Sequence, residues 1–382
     1  MITCPDRTVP ATPKVAIVHD YLTQRGGAER VVLAMLKAFP TAVIYTSLYQ
    51  PETTFPEFHG ADVRTLPLNR VGVLRRHHRL AFPFLAPAFS RLKVDAAVAL
   101  CDSSGWSHGV RTTGRKVVYC HTPARWLYHQ TLYLRRGLSA GRVALAVLGG
   151  PLRRWDRRAA GSADRYLTGS TEVLGRIAAT YGRDAEILPS PPGIDPSGTR
   201  EPVPGVEPGY HLVVARLLPY KNVAAVVEAF RRLPDLRLVV VGTGPEEAAL
   251  RAAAGPNVTF LGAVGSDAQI RWLYGNCTAV VAAAHEDQGL IPIEAAGFGK
   301  PSAALRWGGF VDSVVDGTTG VFFDEPDPEA IAAAVRRLAG HHWSPDVLIR
   351  HADRFSEQRF IARLRAIVAE ELAGAAPLAV SR

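Results

Sequence analysis

Two carboxylates and three backbone amides give the chain its clearest chemical proposition. In the stretch His285 to Pro301, HEDQGLIPIEAAGFGKP, Glu286 and Glu294 flank a turn containing Gly289. An apolar, strand-like run from Thr278 to Ala284 precedes them, and Leu290 to Phe298 reads as a helix. Pro292 suits the first turn of that helix, where a missing N–H costs nothing, and Gly299 suits its end. Strand, glycine turn and helix N-terminus leave the amides of Gly289, Leu290 and Ile291 open to an anion, aided by the helix dipole. Glu294, expected inside the first helical turn, adds an acceptor for the hydroxyls of whatever carries that anion. Phosphate donors beside a hydroxyl acceptor imply a nucleotide sugar. The competing reading is a buried strand followed by a surface helix with two solvated glutamates.

Two cations supply the matching charge. Arg216 ends the strand-like run His211 to Ala215, and Lys221-Asn222 opens a helix with Val223, Val226, Phe230 and Leu233 on one face. Five residues apart, at a strand end and a helix start, both can be aimed at a diphosphate. A second glycine turn, Gly26-Gly27, follows the strand Lys14 to His19 and opens a helix through Val31, Leu33 and Leu36. It is a phosphate cradle without the G-x-G-x-x-G spacing of a dinucleotide site. His121 stands where the strand Lys116 to Cys120 ends, the position at which open α/β sheets bind ligands, on a loop fixed by Pro123.

Taken together, Glu286 and Glu294 with seven residues between, the Gly289-Leu290 pair, Gly299-Lys300-Pro301 and the Arg216/Lys221 pair resemble the retaining group 1 glycosyltransferases, family 4. The segment YCHTPARWLYH resembles the catalytic loop of a bacterial polysaccharide mannosyltransferase branch. The family usually has Phe where this chain has Gln288. The resemblance implies the α/β GT-B architecture, two doubly wound Rossmann-like domains facing across a cleft. It implies His121 and Glu286 as catalytic residues orienting and binding the donor sugar. Gly26, Gly27, Arg216, Lys221, Val264, Gly289, Leu290 and Glu294 would bind the donor, Glu294 at the ribose and Val264 beside the base. Tyr21 and Arg125 are the acceptor-side candidates. The donor expected is GDP-mannose, with a UDP-sugar as the alternative; no metal and no other cofactor is expected, because Arg216, Lys221 and helix N-termini would neutralise the leaving diphosphate.

Length and composition set the frame for these residues. A chain of 382 residues exceeds one comfortable core. With 47% hydrophobic and 21% charged residues it has the composition of a globular protein. The stretch Ser190 to Pro208, with six prolines and three glycines, is the expected linker. The expected domains are 1–195 and 196–355, followed by an amphipathic helix in 356–382 that Ser356 can cap; the resemblance implies that the first holds the acceptor, the second the nucleotide sugar, and that the helix packs back on the first. Further strands are expected at 42–46, 96–100, 163–170, 236–241, 258–261, 302–305 and 320–323, and a helix after Ser170.

Four scattered cysteines form no metal or C-x-x-C spacing, and no apolar run reaches the ~20 residues of a membrane span. The start lacks an apolar signal core, so a cytoplasmic location is expected. Charge is uneven: residues 1–195 carry 26 Lys and Arg against 14 Asp and Glu, while 196–382 carry 18 against 21. Arg75-Arg76-His77-His78-Arg79 and Arg153-Arg154-Trp155-Asp156-Arg157-Arg158 flank short apolar stretches, as an anionic membrane surface would require. The partners expected are a nucleotide-sugar donor, a glycan or lipid-linked acceptor and the inner leaflet. Nucleic acid is not expected, since no zinc-finger or RNP pattern appears. Two other classes stay open: a non-hydrolysing sugar-nucleotide epimerase, which needs acid/base carboxylates in the first domain, and a polyanion-binding protein without catalysis.

Overall fold

A computed structural model describes residues 14–128 and 140–375. The chain forms two compact units. One comprises Met1–Tyr119, Ala144–Tyr166 and Leu364–Arg382, and the other Cys120–Val143 and Leu167–Arg363. The units are interleaved in sequence: the chain enters the second at Cys120, ahead of the boundary expected at 195, and the final helix, Glu357–Ala375, returns to the first at Leu364.

In the first unit, strands β1 (Val15–His19), β2 (Val43–Thr46), β3 (Val63–Thr65), β5 (Val98–Ser103) and β7 (Arg115–Cys120) lie in the order β3-β2-β1-β5-β7. Two short strands, β4 (Lys93–Val94) and β6 (Arg111–Thr112), pair beside them. β1 and β5 are buried along their whole length, which is why they read as continuous apolar runs. Their order also makes the gap between β1 and β5 the point where the winding reverses. The returning end of the final helix is tied in by Arg365, which donates to the carbonyls of Lys37 at 3.2 Å and Ala38 at 3.0 Å, and by Glu371, which accepts from Arg115 at 2.9 Å.

β8 (Arg165–Thr168) leads into the second unit, where Leu167 and Thr168 pair in parallel with β9 (Glu186–Ile187). Ser170 caps the helix Thr171–Tyr181 through the Val173 amide, as expected from its hydroxyl at that position. β10 (Tyr210–Val214), β11 (Leu238–Val241), β12 (Val258–Gly262), β13 (Cys277–Ala282), β14 (Ser302–Leu305) and β15 (Gly320–Phe323) form a parallel sheet in the order β12-β11-β10-β13-β14-β15. Alternate residues serve opposite faces. Leu238 and Val240 enter a core with Phe230, Ile331 and Val335, while Val239 and Val241 pack with Tyr210, Leu273 and Tyr274. A doubly wound sheet of this order opens a crevice at the carboxyl ends of β10 and β13.

Candidate active site in the second unit

The two loops that leave β10 and β13 converge on that crevice, and they carry the residues nominated by the sequence. From β10 the chain passes Ala215 and Arg216 into a tight turn, Pro219–Lys221, and then the helix Val223–Arg231. Asn222 joins the turn to the helix with φ +54°, a left-handed conformation that Asn tolerates better than most side chains. Its side-chain amide donates to the Ala283 carbonyl at 2.8 Å and lies 3.2 Å from His285 Nδ1, and the His285 amide donates to the Tyr220 carbonyl at 3.0 Å. The loops are thus stitched together, and Lys221 and Glu286 form an ion pair between them. Both are partly shielded, with side chains 13% and 26% exposed. Arg216 is exposed beside them, 3.4 Å from the Tyr220 hydroxyl.

Glycine makes the Glu286 loop possible. Gly289 caps the helix Leu290–Gly297 with φ +66°, and a Cβ there would stand 2.3 Å from the Gly309 carbonyl oxygen. Gly308 and Gly309 return the compliment, since their added Cβ atoms would meet the Glu286 carbonyl oxygen at 2.3 Å and the Gln288 carbonyl carbon at 2.5 Å. The Gly309 amide donates to the Glu286 carbonyl at 2.9 Å. Two glycine turns therefore press backbone against backbone. The expected helix is present, but it begins at Leu290, so Pro292 is its third residue and Glu294 lies in its second turn, not its first. Glu294 is buried. Its oxygens accept from the Gly193 amide at 2.9 Å and the Tyr274 hydroxyl at 2.7 Å. Burial, and then the Glu294 charge, push the Tyr274 phenol well above its ordinary pKa, so it stays a donor. Leu290 and Val264 are half-buried against apolar neighbours, with Val264 next to the capping residue region of the helix Asp267–Asn276.

His121 and Arg125 fall in the same unit. The His121 carbonyl accepts from Gln288 Nε2 at 3.2 Å, while Gln288 Oε1 accepts from the Ser190 hydroxyl at 3.1 Å. The departure from the family's Phe is thus a polar tie. Asp287, which the sequence did not nominate, is wholly buried and accepts from Arg125 and, at 3.0 Å, from Arg176. Those partners lie 162 and 111 residues away in sequence, so spacing gave no sign of them.

The first unit holds the remaining candidates. Gly26 caps the helix Gly27–Ala38, and Tyr21 stacks on His78 with ring centroids 4.5 Å apart. A Cβ on Gly26 would lie 2.6 Å from Glu29 Oε2, which is buried beneath it. Beside Glu29, His19 Nδ1 is 2.8 Å from Asp102 and Nε2 is 4.0 Å from Glu29. Burial alone would lower the His19 pKa, but hydrogen bonds to Asp102 and Glu29 and their charges raise it to about 10. Asp20 accepts from the amides of Ser104, Trp106 and Ser107 at 2.9, 3.2 and 2.6 Å, shaping the loop after β5.

Residues 200–354, which carry Arg216, Lys221, Glu286 and Glu294, match the family described as glycosyl transferases group 1. The match lies wholly within the second unit. Over 229 residues the chain is 28% identical to a GDP-mannose-dependent alpha-(1-6)-phosphatidylinositol monomannoside mannosyltransferase of Mycolicibacterium smegmatis, covering 50% of this chain and 60% of that protein. Over 251 residues it is 31% identical to a D-inositol 3-phosphate glycosyltransferase of Geodermatophilus obscurus, covering 57% and 56%. The chain therefore spans less than two thirds of either relative. In fold, it superposes on Anabaena HepE in complex with UDP with a TM-score of 0.68 at 17% identity, covering 94% of this chain and 100% of that one. The second unit is accordingly an α/β unit of the GT-B fold.

Proposed function

We propose that the protein is a retaining glycosyltransferase that moves a hexose from a nucleotide-diphosphate sugar to a hydroxyl of a glycan or lipid-linked acceptor in cell-envelope synthesis. The observation that carries the reading is the Lys221–Glu286 pair at the crevice of β10 and β13, with Arg216 beside it and a helix N-terminus at Gly289. Positive charge there would meet the leaving diphosphate, and donors fixed in advance need no reorganisation when charge develops. Glu286 would release Lys221 to the diphosphate and take the sugar hydroxyls. His121 would orient the sugar, Glu294 would reach the ribose, and the loop at Val264 would meet the base. Gly26 and Gly27 would serve the donor, and Tyr21 and Arg125 the acceptor. The acceptor hydroxyl would attack from the face that the diphosphate leaves, so no enzyme nucleophile is required.

Arg216, Lys221 and the helix N-terminus would do the work of a divalent ion, and the reaction would need none. Mannose from GDP-mannose is the preferred donor, supported by the likeness of the HTPARWLYH segment to a mannosyltransferase branch and by the name of the Mycolicibacterium relative. HepE was solved with UDP and with UDP-glucose, which supports a UDP-sugar as the second reading. The relative acting on a phosphatidylinositol mannoside also supports a lipid-linked acceptor met at the cytoplasmic face of a membrane. The test is a panel of nucleotide sugars scored for slow hydrolysis and for protection against thermal unfolding. GDP-mannose should give both. Protection by none of them, or epimerisation of a UDP-sugar without acceptor, would remove the assignment.

A further inference from the structure

Asp287 sits between two residues that face the candidate chemistry, yet is itself fully buried. On one side Glu286 holds Lys221, and on the other Gln288 holds the His121 carbonyl. The Asp287 carboxylate accepts from Arg125, four residues beyond His121, and at 3.0 Å from Arg176 of the helix Thr171–Tyr181. Arg176 Nη1 also donates to the Thr122 hydroxyl at 3.3 Å, directly after His121. That guanidinium is itself held by Glu172 at 3.0 Å and lies 5.6 Å from the Trp307 ring centroid, beside the Gly308-Gly309 turn. Both arginines that meet Asp287 thus also fix the His121 loop, one through its own backbone and one through Thr122.

We propose that Asp287 is a positioning residue: through Arg125 and Arg176 it registers the loop carrying His121 against the loop carrying Glu286, so that both side chains are presented to one donor sugar. The proposal rests on His121 and Glu286 being the catalytic pair. Its physical basis is charge. With Asp287 neutral, the Arg125 and Arg176 guanidinium groups, 27% and 11% exposed, would lose the carboxylate that they share, and with it the tie between the two loops, while Arg176 keeps Glu172. Arg125 is the more exposed and would swing out, carrying the His121 loop with it.

The test compares Asp287→Asn, Arg125→Gln and the double variant with the unaltered protein by hydrogen exchange and by kinetics. In Asp287→Asn, segments 121–128 and 285–289 should gain exchange together, while kcat falls by about 100-fold, the scale of a misplaced catalytic group. Donor Kd should stay within about threefold, because Arg216 and Lys221 do not touch Asp287. In exchange at 121–128 and 285–289 the double variant should be no worse than Asp287→Asn alone, since both lose the same tie. Arg125→Lys, which keeps the charge without the forked geometry, should fall between the two. If Asp287→Asn does not fold, the Arg125 variants alone decide: no coupled exchange at 285–289 overturns the clamp. So does a loss of donor affinity and stability in proportion to kcat, which is the mark of a merely structural role. A wild-type protein that turns over no nucleotide sugar would overturn the functional reading instead, and the exchange experiment would still judge the clamp.

Discussion

Lys221 and Arg216 occupy different environments, and that difference makes their roles separable. Arg216 is exposed and its guanidinium donates to the Tyr220 hydroxyl at 3.4 Å, so Arg216→Ala should leave the melting temperature unchanged. Lys221→Ala strips a half-buried Glu286 of its cation and should cost about 1–3 kcal/mol. Both should lower turnover by ~100-fold or more, as loss of one donor to a developing anion does. Turnover in EDTA should equal turnover in magnesium. A larger effect on stability than on turnover for Arg216→Ala, or activity abolished by EDTA and restored by metal, would refute the charge assignment. At this scale the sequence was informative about placement, since it set Arg216 and Lys221 after one strand and Glu286 after another, and the fold pairs Lys221 with Glu286. It was silent about Asp287, because a carboxylate acquires meaning only from partners, and Arg125 and Arg176 are brought to it by the fold. Gln288, where the family usually has Phe, bridges Ser190 to the His121 carbonyl.

Among elements, the buried parallel strands were legible because both of their faces are apolar, and β1, β10, β13, β14 and β15 fall within one or two residues of expectation. Strands of two or three residues, such as β3, β4, β6 and β9, carry no periodicity that sequence could show. The interlock of Gly289 with Gly308-Gly309 was half legible: the lone Gly289 signals a turn, but nothing in the sequence shows that Gly308-Gly309 packs on it. The carboxyl ends of β1 and β5 hold a property no periodicity reveals, the buried cluster of His19, Asp20, Asp102 and Glu29. With His19 raised to about 10 against an ordinary 6.5, its protonation stabilises the folded state fully below pH 6.5. That contribution is lost as pH rises through 10. Chemical denaturation between pH 6 and pH 10 should therefore show stability falling across this window, and His19→Gln should flatten the fall. Parallel pH profiles for the two proteins would show that His19 is not held charged by Asp102 and Glu29.

For the whole molecule, length pointed to two domains but not to their interleaving, since the return of the final helix to the first unit rests on contacts such as Arg365 with the Lys37 and Ala38 carbonyls. Charge asymmetry was legible, and the structure now says where its apolar partner lies. Val71, Val73, Leu80 and Phe84 are 49%, 50%, 54% and 52% exposed within one short stretch of the first unit, interleaved with Arg70, Arg75, Arg76 and Arg79. Around the second arginine cluster the large aromatic is engaged instead: Trp155 Nε1 donates to the Ser90 hydroxyl at 2.7 Å and its ring packs at Gly109. No described helix is long and apolar enough to cross a membrane. Apolar tips among arginines fit an anionic bilayer surface, where each cation adds ~1 kcal/mol, screened over ~10 Å at 0.1 M salt. The protein should therefore sediment with vesicles containing acidic phospholipid at low salt and be released at high salt. Replacing Val73, Leu80 and Phe84 together by Ser should weaken binding even at low salt. Neutralising Arg153, Arg154, Arg157 and Arg158 should chiefly reduce its salt dependence. Equal and negligible binding to anionic and neutral vesicles would mean that the acceptor is met in solution and that the 70–84 surface serves something other than lipid, with the donor-side chemistry of the second unit untouched.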